Sequence, residues 1–309
     1  MSNATSIVVS QTVKHSPYNY TPSESIAILA IVLFSVSAAT HLGQAVWWRT
    51  WWLLPTACFC GILEILGWSG RLWSSISPLA QIPFQIQITC TIIAPTPLLA
   101  ANFVIFGRII ERLGSQYSRL TPKWYTIIFC SCDVVSLVIQ GIGGGLAATA
   151  HKPENAKKGG NIMLGGIAFQ LIVICLFTSC VAEFFYRYLT DSPIRAYQST
   201  ISSTGKFTKR IKFLTFAMSF VTLLLFIRAI YRTAELSDGW NGRIISTQVY
   251  FNVLDGAMVI LSIYTYNIFH PGFLLCDADV SSNSKKVTTI YLNDNGSQKN
   301  PMPSQQSFV

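Results

Sequence analysis

Residues 212–235 read KFLTFAMSFVTLLLFIRAIYRTAE. From Phe213 to Ile227 no side chain carries a charge, and apolar residues fall on every side of a helical wheel rather than on one stripe. A helix that faced water would show a charged face. A helix rises about 1.5 Å per residue, so about 20 such residues cross the ~30 Å hydrocarbon core of a bilayer. The stretch therefore reads as a membrane span, and Arg228, Arg232 and Glu235 at its far end become the anomaly to explain. Spaced i, i+4 and i+7, these three lie on one helix face.

The same reading applied outward finds six more runs of this kind, at 25–44, 51–71, 83–106, 125–147, 161–184 and 248–270, with 212–234 as the sixth of seven. The expected fold is all-α: a polytopic membrane protein of seven transmembrane helices occupying 25–275, with a polar segment 1–24 before it and a disordered polar tail 276–309 after it. Composition agrees. Hydrophobic residues make up 51% of the 309 residues and charged residues 11%, against about 25% charged in a typical soluble domain. So little charge excludes a cytosolic globular enzyme and excludes disorder for most of the chain. The first 23 residues lack the apolar core of a cleavable signal peptide.

Several spans carry marks of their own. The third holds Pro83, Pro95 and Pro97, which predict kinks and freed carbonyls that neighbouring helices or a wet cavity must satisfy. The fourth ends in Gly141, Gly143, Gly144 and Gly145, which predicts an end that is either unwound or closely packed. Trp47, Trp48, Trp51 and Trp52 mark an interface.

Orientation follows from the basic residues. Fourteen Lys and Arg lie in the odd-numbered connections and the tail, and six on the opposite side. The richer side faces the cytosol, so the amino terminus is expected outside and the carboxyl terminus inside. The net charge of +9 is then the flank charge of membrane helices, with no nucleic-acid partner. Asn3, in the triplet Asn3-Ala4-Thr5, is the glycan acceptor this orientation predicts. Seven of the eight Cys sit inside apolar runs and read as small buried hydrophobes.

A charge near mid-bilayer costs at least about 2.5–3.5 kcal/mol on insertion scales, so those present pair or line a cavity. Glu64, Asp133, Arg228 and Asp255 lie inside spans; Arg71, Arg232 and Glu235 lie at span ends. With the assigned directions, Glu64, Arg228 and Asp255 fall about 4–7 Å to the outer side of the midplane. Gln140 falls in the same half, Gln170 near the middle and Gln87 near the outer mouth. Asp133 is on the inner side, on one face with Ser136 and Gln140. Two readings remain open. One is a polar cavity facing the outer leaflet, with Glu64, Gln87, Gln140, Gln170, Arg228 and Asp255 binding substrate and Glu64 and Asp255 opposing Arg228. The other is a buried charge network that only fixes packing. Asp133, Arg71, Arg232 and Glu235 are expected to form a coupling or structural charge network, with Asp133, isolated and sharing a face with Gln140, the candidate for proton or cation coupling or else a hydrogen-bonded packing residue.

The chemistry of a catalyst is absent from this sequence. The four His (His15, His41, His151 and His270) are neither mid-span nor paired, there is no Walker-type loop, and no nucleophile elbow appears. No metal, no cofactor and no enzymatic activity are expected.

The chain resembles the fungal lipid-translocating exporters, the RTA-like seven-span resistance proteins. The resemblance rests on Gly67-Trp68 with Arg71, Ala94-Pro95, Gly107-Arg108-Ile109, Asp133-Val134-Val135-Ser136-Leu137 with Gln140 and the glycine run, and Gly166 to Gln170. It continues through Arg228, Arg232 and Glu235 with Gly239, then Asp255, and His270-Pro271-Gly272. It departs at Gln248, where the family usually has Glu, and at Asn102-Phe103, where Tyr is usual, which puts proton coupling at position 248 in doubt. The resemblance implies a membrane protein, most naturally of the plasma membrane, that lowers sensitivity to a toxic compound by exporting or translocating an amphipathic lipid-like or cationic molecule. Its partners are then membrane lipids and that small molecule. Seven spans, an outer amino terminus and basic inner loops fit a sensor or receptor that triggers a resistance response equally well.

Overall fold

The computed structural model describes residues 16–150, 152–194, 207–239 and 242–275. Asn3 and the tail 276–309 lie outside the described residues. Seven helical units are long and apolar enough to cross a membrane, and the described residues contain no strand. The chain is a multi-pass membrane protein.

α1 spans Glu24–Trp47. α2 begins with a 3-10 turn at Trp51–Leu53 and a π turn at Leu54–Cys58, then runs as α-helix over Phe59–Ile76. α3 comes in two pieces, Gln81–Ile93 and Pro95–Leu113. α4 is Pro122–Ala148, α5 Pro153–Leu189 and α6 Lys209–Asp238. α7 is Gln248–Phe251, a π turn at Asn252–Ala257, and Met258–Ile268. Consecutive helices pack side by side, α7 closes against α1, and α3 crosses the middle to touch α6.

Burial is distributed as lipid solvation requires. Leu29, Val32, Val36, Val138, Ile172, Leu176, Phe216 and Leu223 point outward and are exposed. The centre belongs to α3, whose second piece is buried at eleven of the sixteen positions from Leu98 to Leu113. Around it Phe103, Phe106, Tyr125, Phe129 and Phe177 meet mostly edge to face, with ring centroids 4.7–5.6 Å apart between α3 and its neighbours.

Polar stitches tie distant spans where apolar contact gives no preference over lipid. Asn102 of α3 donates to Thr222 of α6 at 2.9 Å and accepts from the Tyr266 hydroxyl of α7. Asn267 donates to Ser37 at 2.6 Å, and His41 bonds the Ile263 carbonyl at 3.1 Å, joining α1 to α7.

The break in α3 falls at Ala94, where the prolines predict it. Pro95 has no N–H, so the Thr91 carbonyl loses its helical partner. The glycines of α4 do not unwind the helix, which continues to Ala148. Gly143 closes it onto α5 instead. A Cβ at Gly143 would stand 2.4 Å from the Met163 amide nitrogen, and one at Gly159 2.4 Å from the Ala147 amide nitrogen. α5 begins eight residues before the apolar run at 161, because its polar first turns are helical as well.

Candidate functional site

α6 supplies the framework. Arg228, Tyr231, Arg232 and Glu235 are all buried. Arg232 donates to Glu235 at 2.8 Å, to both oxygens of Asp255 at 2.9 and 2.8 Å, and to the Thr91 hydroxyl at 2.9 Å. Tyr231 donates to the other Glu235 oxygen at 2.7 Å. Arg228 places Nε 2.8 Å from Asp255 and donates from Nη2 to the Thr91 carbonyl freed by Pro95. Two guanidinium groups thus meet two carboxylates, and the set is neutral. Asp255 reaches both arginines from the π turn of α7, where wider winding alters which way a side chain faces. Gly256 lets this turn sit against Trp68: a Cβ there would stand 2.5 Å from the indole.

Glu64 is not part of this pairing. It is fully buried, makes no ion pair among the described residues, and the Trp68 indole beside it is out of hydrogen-bonding alignment. Asp133 is likewise buried with neither oxygen bonded. Arg71 does not pair with a carboxylate among the described residues. It donates to the Tyr20 hydroxyl at 2.8 Å and lies over the rings of Phe251, Tyr18, Tyr20 and Trp68 at 4.4–5.7 Å. Burial pushes the Tyr18 phenol up to about 12 and raises that of Tyr20, so both stay neutral against this cation.

Between α3, α4, α5 and α6 lies a narrow, partly open crevice with about 20 Å³ of room inside, enough for one water-sized group. Ile92, Pro95, Leu99, Ile167, Ile174 and Leu225 make its apolar walls; Gln140, Gln170, Arg228 and Arg232 make its polar part. The glutamines belong to a chain of hydrogen bonds. Ser136 donates to the Gly166 carbonyl at 2.7 Å. Gln140 donates to Ser136 at 2.7 Å and to Gln170 at 3.2 Å, and Gln170 donates to Thr96 at 3.1 Å. A second, smaller hollow of about 10 Å³ is lined by Gln87 with Tyr18, Tyr20, Arg71, Arg232 and Glu235.

Of the six residues expected to bind substrate, Gln140, Gln170 and Arg228 share the larger crevice, Gln87 lines the smaller hollow, and Glu64 and Asp255 line neither. Arg232 lines both. Thr91, Thr96, Tyr20, Tyr231 and Phe251 were not singled out by the sequence. For Thr91 a signal existed: it stands four residues before Pro95.

The family described as RTA1 like protein matches residues 57–278, well over half of the chain. The Sphingoid long-chain base transporter RSB1 of Saccharomyces cerevisiae is 30% identical over 277 residues, 82% of this chain and 72% of that protein. Protein RTM1 of the same organism is 25% identical over 284 residues, 79% of this chain and 88% of that one. Protoporphyrin uptake protein 1, also from that yeast, is 25% identical over 290 residues, 81% and 90% of the two chains. No solved structure matches significantly.

Proposed function

The chain belongs to the RTA1-like family, and on that premise we propose that it moves an amphipathic, lipid-like molecule across the bilayer and thereby lowers the cell's sensitivity to it. Relatives are named as a transporter and an uptake protein, so the chemistry asked of it is binding and release rather than bond making. The observation that carries the reading is the crevice, with polar groups well inside the spans and apolar walls around them. A head group leaving water needs such a floor, and its chain can stay among apolar side chains.

In this reading Gln140, Gln170 and Arg228 contact the head. Arg232, Glu235 and Asp255 act from behind, holding Arg228 in place, and the unpaired Glu64 adds to the local field. Arg71 and Gln87 belong to the end of the bundle where the amino-terminal segment packs. Asp133 is the coupling residue, because it is a buried carboxylate with no partner among the described residues. The plasma membrane and an outer amino terminus complete the proposal.

The test is transbilayer movement of a fluorescent single-chain amphiphile in liposomes holding the purified protein. Movement above that of protein-free liposomes, slowed by Ala229→Leu, which enlarges a side chain lining the crevice, is the expected result. Folded protein that moves nothing would favour a seven-helix sensor instead.

A further inference from the structure

The chain just before α1 closes on itself. The Asn19 N–H donates to the Ser16 carbonyl at 2.9 Å, and the Ser16 hydroxyl donates to the Tyr20 carbonyl at 3.1 Å. Asn19 has a φ of +60°, a left-handed conformation that asparagine tolerates better than most residues. The reversal brings Tyr18 and Tyr20 onto one cation: their ring centroids are 5.6 Å apart and lie 5.5 and 5.6 Å from the Arg71 guanidinium. Three helices receive this turn. The Tyr18 and Ser74 hydroxyls bond across 3.2 Å on α2, and the Tyr18 ring meets Phe84 of α3 edge to face at 4.8 Å. Asn19 donates to Ser246, just before α7, at 3.1 Å, and Ser23 donates to Gln248 of α7 at 3.2 Å.

The turn covers the small hollow, whose walls Tyr18 and Tyr20 share with Gln87, Arg232 and Glu235. Arg232 also lines the crevice among α3 to α6, so one guanidinium forms part of the wall of both spaces. Neither space has room for more than about one water-sized group, so the route past Arg232 is closed at both steps. The hold on the turn is light. Each bond named above has a neutral partner on both sides, and only the Arg71 bond to Tyr20 involves a charge. Three residues outside any helix, Thr21 to Ser23, join the turn to α1. Arg71 is buried with one phenol oxygen and four rings to offset its charge. Lifting the turn takes away that oxygen and two of the rings and admits water, which solvates a cation far better than protein does. Hydration of Arg71 therefore offsets part of the packing lost on opening.

We propose that the turn Ser16–Tyr20 is a plug over one end of the polar seam, latched by Arg71, and that it lifts to connect the spaces on either side of Arg232 with water. This rests on the transport reading and adds its gate: what has passed Arg232 leaves the bundle at this end only while the plug is up. The structure is then the closed state, with the rings of Tyr18 and Tyr20 seated and the hollow beneath them nearly filled.

The experiment places the full chain in phosphatidylcholine nanodiscs, with Gln87→Cys as reporter and a charged maleimide that does not cross lipid as probe. Modification is read at position 87 by peptide mass spectrometry. Asn19→Cys and Ser246→Cys, joined by a reducible bis-thiosulfonate with a one-carbon spacer, hold the turn down; the two single variants, treated alike, are the controls. The expected result is modification at 87 in the unjoined protein and at least about tenfold slower modification in the joined one, restored by reductant. Tyr20→Phe keeps the ring but loses the oxygen that Arg71 holds, and should speed modification about three- to tenfold. Equal rates in joined and unjoined protein would overturn the inference, as would a reporter that reacts only after denaturation. Failure of the pair to join would do the same, because the turn would not dock at Ser246. An unchanged rate in folded Tyr20→Phe would overturn the latch. Transbilayer movement of a single-chain amphiphile is then compared in liposomes without the reporter substitution. Joined protein that moves it at the unjoined rate would overturn the plug as gate. Protein that moves nothing in either form would sink the transport reading, and the labelling alone would then decide the plug.

Discussion

Arg228 of α6 donates to the main-chain carbonyl of Thr91 in α3, the acceptor that Pro95 strips of its helical partner. One proline thus creates the bond that joins the two central helices at the crevice. Pro95→Ala would restore the missing N–H, and the helix would compete with Arg228 for the carbonyl. The expected outcome is a straighter α3, unchanged or higher thermal stability, and at least about tenfold slower transbilayer movement. Melting and liposome assays on the same preparation check it.

The four-charge cluster predicts non-additive stability. Removing Asp255 alone, as Asp255→Leu, leaves Arg228 buried without a carboxylate and should cost about 3–5 kcal/mol. Adding Arg228→Leu leaves Arg232 with Glu235, a pair already 2.8 Å apart. The double variant is expected to melt above the Asp255→Leu single variant. A double variant that melts lower would show that Asp255 is not the partner that makes Arg228 tolerable.

Glycines within one turn of each other on α4 should respond oppositely. Gly143→Ala forces its new methyl into the α5 backbone and should destabilise by roughly 1–3 kcal/mol. Gly145 meets nothing within 4 Å, so Gly145→Ala should stabilise the helix by about 0.5–1 kcal/mol. Thermal melts of the two variants side by side decide it.

His270 lies just past α7 and is buried with neither ring nitrogen bonded among the described residues. Burial pulls its pKa down from 6.5 to about 4. Between these values the unfolded chain binds the proton and the folded chain does not, so stability rises with pH across that window. The contribution is complete above about pH 6.5 and is lost as pH falls toward about 4. Melting temperature should drop between pH 7 and pH 5 in wild type, and less so in His270→Phe.

Asp133→Asn keeps the shape and removes the charge. The expected result is normal insertion and melting with loss of transbilayer movement. Movement at the wild-type rate would make Asp133 a packing residue.

The spans were legible because lipid demands length and apolarity, which a run such as 212–234 displays openly. Their ends were less so. Hydropathy marks where α5 meets lipid, but Pro153 to Gly160 are helical beyond it. The break at Ala94 was legible from Pro95; the donor that fills the freed carbonyl was not, because it comes from 137 positions away. Glu64 and Asp255 look alike in sequence as lone acids opposite Arg228. The π turn at Asn252–Ala257, which no residue pattern announces, accompanies the choice of Asp255. The direction of the Gln140 chain depends on where Ser136 sends its proton, and that requires knowing how closely α4 approaches Gly166.

The distance in sequence between Thr91 and Arg228 also has a consequence for biosynthesis. A ribosome adding about 5–20 residues per second needs roughly 7–27 s to cover that interval. Through that time the newly inserted third span carries a bare carbonyl and the cluster's cations have not yet been made. Asp255 follows later still. The chain therefore passes its early life in the membrane with its central polar seam open, and a chaperone or insertase that shelters α3 until α6 and α7 arrive would set the yield of folded protein.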